Sequence, residues 1–275
     1  MRPDPAQTGA WITSLQNPRV KRAVKLRKRS ERQAEGKLLI EGYRELKRAL
    51  ENGHAPEELF YCRDLFQGEN EPALIAACRA AGAELLECSP AVFRKLAYRD
   101  RPEGLLAIAP AIQGTLAELE LPPNPLLLVA EHIEKPGNLG TMLRSADAAG
   151  VDALIVCDRC TDVNNPNVVR ASTGALFALP VVEAGVEETR DWLRARGIQV
   201  VAATPHTDRS YTDPDYTRGT AILVGAEQFG LSEAWMREAD GCVRIPMRGQ
   251  CDSLNVAAAA TILLYEAVRQ RTAAQ

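Results

Sequence analysis

The sequence predicts an α/β protein in two parts, and three observations carry that. Short apolar runs of strand character alternate with stretches of helical periodicity from residue 37 onward, which is the pattern of strands covered by helices. In the second half the strand runs are continuously apolar, as in LLLVA (126–130), VDALIVC (151–157) and AILVG (221–225). Such runs predict a mostly parallel sheet buried on both faces. Finally, Pro122-Pro123-Asn124-Pro125 interrupts the rhythm. Prolines this dense continue neither a helix nor a central strand. The predicted division is a domain over 1–112, a linker over 113–125 and a second domain over 126–275.

In the first part, residues 18–35 read as a basic helix with a thin apolar stripe of Val20, Val24 and Leu26. KLLIEG (37–42) is a strand stopped by glycine. Tyr43 to Glu51 is a helix closed by Asn52-Gly53. Strands follow at 57–62, 83–88 and 104–110, with helices at 71–81 and from Pro90 to about Ala97. Ser89-Pro90 marks that last helix start, since serine caps and proline suits the first turn. The expected layer has four strands.

After LLLVA comes a loop, then a helix from about Leu139. VDALIVC leads through a polar loop (Asn164, Asn165, Asn167) to a short helix near Val168–Gly174. FALPVV (177–182) carries Pro180, so it is predicted to be an edge strand. Val186 to Arg196 is a helix and IQVVAAT (198–204) a strand. AILVG, a helix from Ser232, the strand CVRIP (242–246) and a helix from Val256 complete the chain.

The 275 residues are 46% hydrophobic and 25% charged, as in soluble globular proteins. No apolar run is long enough to cross a bilayer, and MRPDPAQTGAW lacks a signal core. Seven cysteines without framework spacing point to reduced thiols and a cytoplasmic protein. Cys157 and Cys160 form a CxxC, read as buried filler because no second pair follows it. No metal is expected. The net charge of −3 hides an excess of eight positive charges over residues 17–48, twelve basic against four acidic. A single-sign cluster of that strength favours an anionic partner, and nucleic acid fits best. Lys21, Arg22, Lys25, Arg27, Lys28, Arg29 and Arg32 form the expected nucleic-acid-binding face, which the resemblance described below makes an RNA-binding face.

Three stretches look built to hold a ligand. Pro136-Gly137-Asn138-Leu139-Gly140 follows a strand and opens a helix, where backbone N–H groups favour anions. Arg144 lies within that helix among neighbours that look buried (Met142, Leu143, Ala146), so it needs a partner or a function. Gly225-Ala226-Glu227 follows a strand, and Gly230-Leu231-Ser232 restarts a helix. IPMRGQCDSLN (245–255) joins the last strand to the last helix through a polar loop. Ligands of open α/β sheets bind at the carboxyl ends of strands, where all three stretches sit.

Together these motifs resemble the SpoU family of RNA 2′-O-ribose methyltransferases, within the SPOUT superfamily. The residues that carry the resemblance are Asn138-x5-Arg144, Gly225-x-Glu227-x2-Gly230-Leu231-Ser232, and Ile245-Pro246-Met247 with Ser253-Leu254-Asn255. The intervening VVRASTGALFALPV (168–181) is also similar, with one departure at Thr173. The likeness is to the ribosomal-RNA members, including the thiostrepton-resistance type. The basic first half resembles, more loosely, an L30e-like RNA-binding domain.

The resemblance implies a SPOUT-type domain with a deep trefoil knot, S-adenosyl-L-methionine as cofactor, a homodimer and an RNA substrate. Ribosomal RNA is favoured over transfer RNA. By position, Thr204, Gly225, Ile245, Met247 and Leu254 would hold the cofactor. Arg144 would act on the ribose hydroxyl, as base or as electrostatic stabiliser, with Asn138 orienting it and Glu227, Ser253 and Asn255 positioning ribose or guanidinium. Two alternatives stand beside this. A non-catalytic RNA-binding module leaves the strand-end residues without a task. An ordinary Rossmann enzyme would need a glycine fingerprint that the chain lacks.

Overall fold

The structure, a computed structural model, describes residues 10–226 and 229–274. The chain divides into two compact units: residues up to Ile112 together with Asp162–Ala178, and Gln113–Thr161 together with Leu179 onward. The segment 162–178 thus groups with the first unit although it follows the linker in sequence.

The first unit runs β1 (Ala10–Ile12), α1 (Pro18–Lys25), α2 (Arg29–Glu35), β2 (Lys37–Glu41), α3 (Tyr43–Glu51), β3 (Glu58–Tyr61), α4 (Glu71–Ala80), β4 (Glu84–Cys88), α5 (Pro90–Leu96) and β5 (Leu105–Pro110). Its sheet has five strands, ordered β1-β4-β3-β5-β2. β1, β4 and β3 are parallel, while β5 runs antiparallel to both its neighbours. The extra strand β1 has three residues, of which only Ile12 is buried, too few to show a periodicity. The basic helix expected over 18–35 is two helices. Lys28 leaves helical geometry (φ −83°, ψ 137°), and the Arg32 guanidinium takes up the carbonyls of Leu26 and Arg27 at the break.

The second-half elements are β6 (Leu126–Glu131), α6 (Pro136–Ala148), β7 (Ala153–Cys157), α7 (Pro166–Ser172), β8 (Val181–Ala184), α8 (Val186–Ala195), β9 (Gln199–Ala203), β10 (Thr220–Val224), α9 (Glu233–Glu238), β11 (Gly241–Val243) and α10 (Val256–Ala273). α7 belongs to the first unit and packs on β2. It is capped by Asn165 and stops before Thr173, which is left-handed (φ 50°). Phe177 lies in a 3-10 turn rather than in the expected strand.

The six strands of the second unit are ordered β11-β9-β10-β6-β7-β8 and every pair is parallel. Pro180 directly precedes β8, which lies at the sheet edge. Leu127, Val129, Ile155, Leu223 and Trp235 are buried in the layer that covers one face. After β10 the chain crosses to β11, beyond β9, then returns so that α10 packs against α6 and β10.

Candidate active site

The carboxyl ends of β6, β10, β9 and β11 lie side by side, because Val224 pairs with Ala130, Leu223 with Ala202, and Val243 with Ala203. Four loops therefore leave one edge of the sheet together. After β10, Ala226 and Gly230 exchange backbone hydrogen bonds of 3.1 and 2.9 Å and close a tight loop. Gly225 sits beneath this loop. A Cβ there would lie 2.4 Å from the carbonyl carbon and oxygen of Gly230 and 2.6 Å from the nitrogen of Leu231. The glycine is thus required by the loop's own backbone. After β9, Thr204 donates its N–H to Val243 at 2.9 Å, and residues 209–211 bond to Arg244 on both sides. Those bonds fix where the 245–255 loop begins.

Gly225, Ile245, Met247 and Leu254 make no hydrogen bond among the described residues. Gly225, Ile245 and Met247 are half-buried, on the loops that follow β10 and β11. Unused backbone polar groups at partial burial suit a ligand that bonds through main-chain atoms, such as a purine. The residues present therefore fit the adenosine part of S-adenosylmethionine.

Asn138 and Asn255 are brought together. Asn255 is the N-cap of α10, its Oδ1 accepting from Ala257 (3.0 Å) and Ala258 (3.4 Å). Its Nδ2 donates to Asn138 Oδ1 at 3.1 Å. Seven residues on, Ser145 shares a 2.6 Å hydrogen bond with Thr261 of α10. Residues seven apart return to one helix face, so Asn138 and Ser145 form the α6–α10 seam. Arg144 is rotated about 100° from Ser145. It is exposed and has no partner among the described residues. Its neighbours Met142, Leu143 and Ala146 are buried as expected, while Arg144 itself faces outward. In one chain Asn138 faces α10 rather than Arg144. Ser253 is exposed, and Glu227 lies outside the described residues.

Sequence reasoning missed Glu131. It ends β6 fully buried, its Oε2 accepts the Ser232 N–H at 2.8 Å, and its Oε1 lies 4.0 Å from His132 Nδ1 without a hydrogen bond among the described residues. The carboxylate thereby ties the loop after β10 to the end of β6. The available signal was an acid closing an otherwise apolar strand. Glu131, His132 and Asp158 hold ligand-type atoms within 4.8 Å of one another, a set able to take a cation. Cys157 and Cys160 are both free thiols and differ in burial. Cys160 is exposed rather than buried filler, while burial pushes the Cys157 thiol up to about 12.

The seven residues of the expected RNA-binding face divide into two groups. Lys21, Lys25, Lys28 and Arg29 are exposed. The other three are already engaged. Arg22 pairs with Glu35 and Glu58. Arg27 donates to the carbonyls of Lys95, Leu96 and Ala97 at the end of α5, where a cation opposes the helix dipole. Arg32 is buried against Asp162 at 2.6 Å.

Residues 125–265 match the family model described as the SpoU rRNA methylase family, and residues 17–107 match an MRM3-like substrate binding domain. A 23S rRNA (uridine(2479)-2′-O)-methyltransferase of Streptomyces viridochromogenes is 36% identical, over 88% of this chain and 86% of that protein. A 23S rRNA (guanosine(2553)-2′-O)-methyltransferase of Bacillus subtilis is 30% identical, over 92% and 97%. Among solved structures, an AdoMet-bound rRNA methyltransferase from Sinorhizobium meliloti superposes with a TM-score of 0.87 at 33% identity, covering 94% of this chain and 97% of that one.

Proposed function

The chain belongs to the SpoU rRNA methylase family, and from that premise we propose that it transfers the methyl group of S-adenosylmethionine to a ribose 2′-hydroxyl of ribosomal RNA. What supports this is the half-buried backbone of Gly225, Ile245 and Met247, on the loops after β10 and β11 and without a hydrogen bond among the described residues. The cofactor supplies a methyl on a sulfonium, already activated for displacement. The protein has to hold the ribose in line and help the hydroxyl lose its proton.

Arg144 is the residue for the second task. A guanidinium is too basic to take the proton, so its role is to stabilise the developing alkoxide and to bind the neighbouring phosphate. Since Arg144 faces outward, it serves the pocket of a second copy in a homodimer. Asn138, Asn255, Ser253 and Glu227 position ribose and phosphate around it. The return of the chain from β11 to α10 supports the knotted topology of the family as part of this proposal. The two curated relatives bear a uridine and a guanosine in their names, so the shared motifs leave the target base open. No described helix is long and apolar enough to cross a membrane, and a cytoplasmic location is part of the same proposal.

The test is calorimetry with S-adenosylmethionine, followed by methyl transfer to a 23S rRNA transcript. Arg144→Ala and Arg144→Lys should each lose at least ~100-fold in transfer, as lysine lacks the planar fork. Cofactor affinity should be unchanged. Near-normal transfer by Arg144→Ala would reduce the residue to a surface cation.

A further inference from the structure

The first unit has a cavity of about 630 Å³ whose lining is dominated by arginine: Arg44, Arg99, Arg101 and Arg170. One of the four is spent. Arg99 donates to Glu45 at 2.7 Å, to Glu103 at 2.5 Å and to the Glu41 carbonyl at 3.0 Å. That network is largely buried and forms the floor. The other three guanidiniums are exposed. Arg44 and Arg101 have no hydrogen-bond or ion-pair partner among the described residues, and Arg170 makes only a 3.4 Å contact with Asn167. The remaining acid on the lining is Asp100, so three free cations face one anion.

Two further features point to a phosphate chain. α3 starts at this cavity. Its N-cap, Gly42 (φ 112°), supplies no side-chain cap, and the first-turn N–H groups of Tyr43 and Arg44 make no hydrogen bond among the described residues. Such a helix start attracts anions. In addition, Tyr43 and Thr173 line the same space, and the volume exceeds what one phosphate fills. An aromatic ring with separated guanidiniums suits a backbone turn with an unstacked base.

We infer that this cavity, formed by the start of α3, the 99–101 loop and α7, is where the RNA backbone is gripped, in place of the basic helix face. The inference rests on the proposed RNA substrate. Arg170 comes from the 162–178 segment, so the sequence that follows the linker contributes directly to substrate binding.

The test is filter binding of the full chain to a 23S rRNA transcript from about 50 to about 300 mM salt, comparing two variants. Replacing Arg44, Arg101 and Arg170 together with alanine should weaken binding at least ~10-fold and flatten the salt slope by about two to three. All three side chains are exposed, so thermal stability and S-adenosylmethionine affinity should stay unchanged. Arg44→Glu alone should act in the same direction. Replacing Lys21, Lys25, Lys28 and Arg29 together should change affinity less than the triple variant does. Wild-type affinity and slope in the triple variant, or a larger loss in the quadruple one, would overturn the inference. If the unaltered protein binds S-adenosylmethionine but not the transcript, the RNA reading itself falls, and the cavity's role falls with it.

Discussion

Arg32 and Asp162 are 130 positions apart and meet at 2.6 Å with side chains only 3% and 6% exposed. Asp162 also accepts the Asn164 N–H through its other oxygen. Removing one member of such a pair strands the other charge, which costs about 3–5 kcal/mol. Asp162→Ala should therefore lower unfolding stability by that order in urea titration. A loss below about 1 kcal/mol would mean the pair is solvated in solution. Gly225 poses the opposite problem, one of space. A methyl there meets backbone rather than a flexible side chain, so the loop after β10 must deform, costing about 1–3 kcal/mol. Gly225→Ala should weaken S-adenosylmethionine binding at least ~10-fold in calorimetry, with far-UV circular dichroism near that of the unaltered protein. Normal affinity would separate this loop from the pocket.

Elements were legible in the sequence where punctuation was local. α3 spans Tyr43–Glu51 as expected, because glycine turns flank it. Ser89 caps α5 through its hydroxyl, as Ser89-Pro90 implied. What stayed hidden depends on distant partners. The break between α1 and α2 needs the Arg32 guanidinium, and the seam of α6 with α10 needs Asn138 beside a residue 117 positions away. The three loops of the site could be read from their motifs, but the outward direction of Arg144 follows from helix phase set by packing. Cysteine chemistry offers a test at this scale. Burial raises Cys78 to about 11 and Cys88 and Cys157 to about 12, so these thiols stay neutral and slow. Cys160 and Cys251 are exposed and should react first with a thiol reagent under native conditions. Cys251 lies in the 245–255 loop, so S-adenosylmethionine should slow its labelling and leave Cys160 unaffected. Equal rates with and without cofactor would place the pocket away from that loop. The raised thiols also set a pH limit. The unfolded chain releases these protons near pH 9, where the folded chain retains them, so stability should decline as pH rises past that point.

At the scale of the whole molecule, the grouping of 162–178 with the first unit changes how assembly should be examined. A fragment beginning at residue 113 would carry α7 without β2, on which it packs, so the full chain is the proper sample. On the second unit, Tyr265 of α10 is 48% and Leu254 of the preceding loop 38% exposed, and α6 carries Arg144 outward. Exposed apolar side chains, and a guanidinium without a partner among the described residues, fit a twofold interface in which each copy presents the same surface. Light scattering of the full chain at micromolar concentration should accordingly give twice the chain mass. The sharper prediction uses two inactive variants. Arg144→Ala lacks the guanidinium, and Gly225→Val lacks the pocket. If Arg144 of one copy serves the pocket of the other, a mixed dimer holds one site with both defects and one with neither. Random pairing makes half the dimers mixed, so co-expression should restore roughly a quarter of wild-type methyl transfer. If Arg144 instead serves the pocket of its own chain, every site in the mixed dimer keeps one defect and no activity returns.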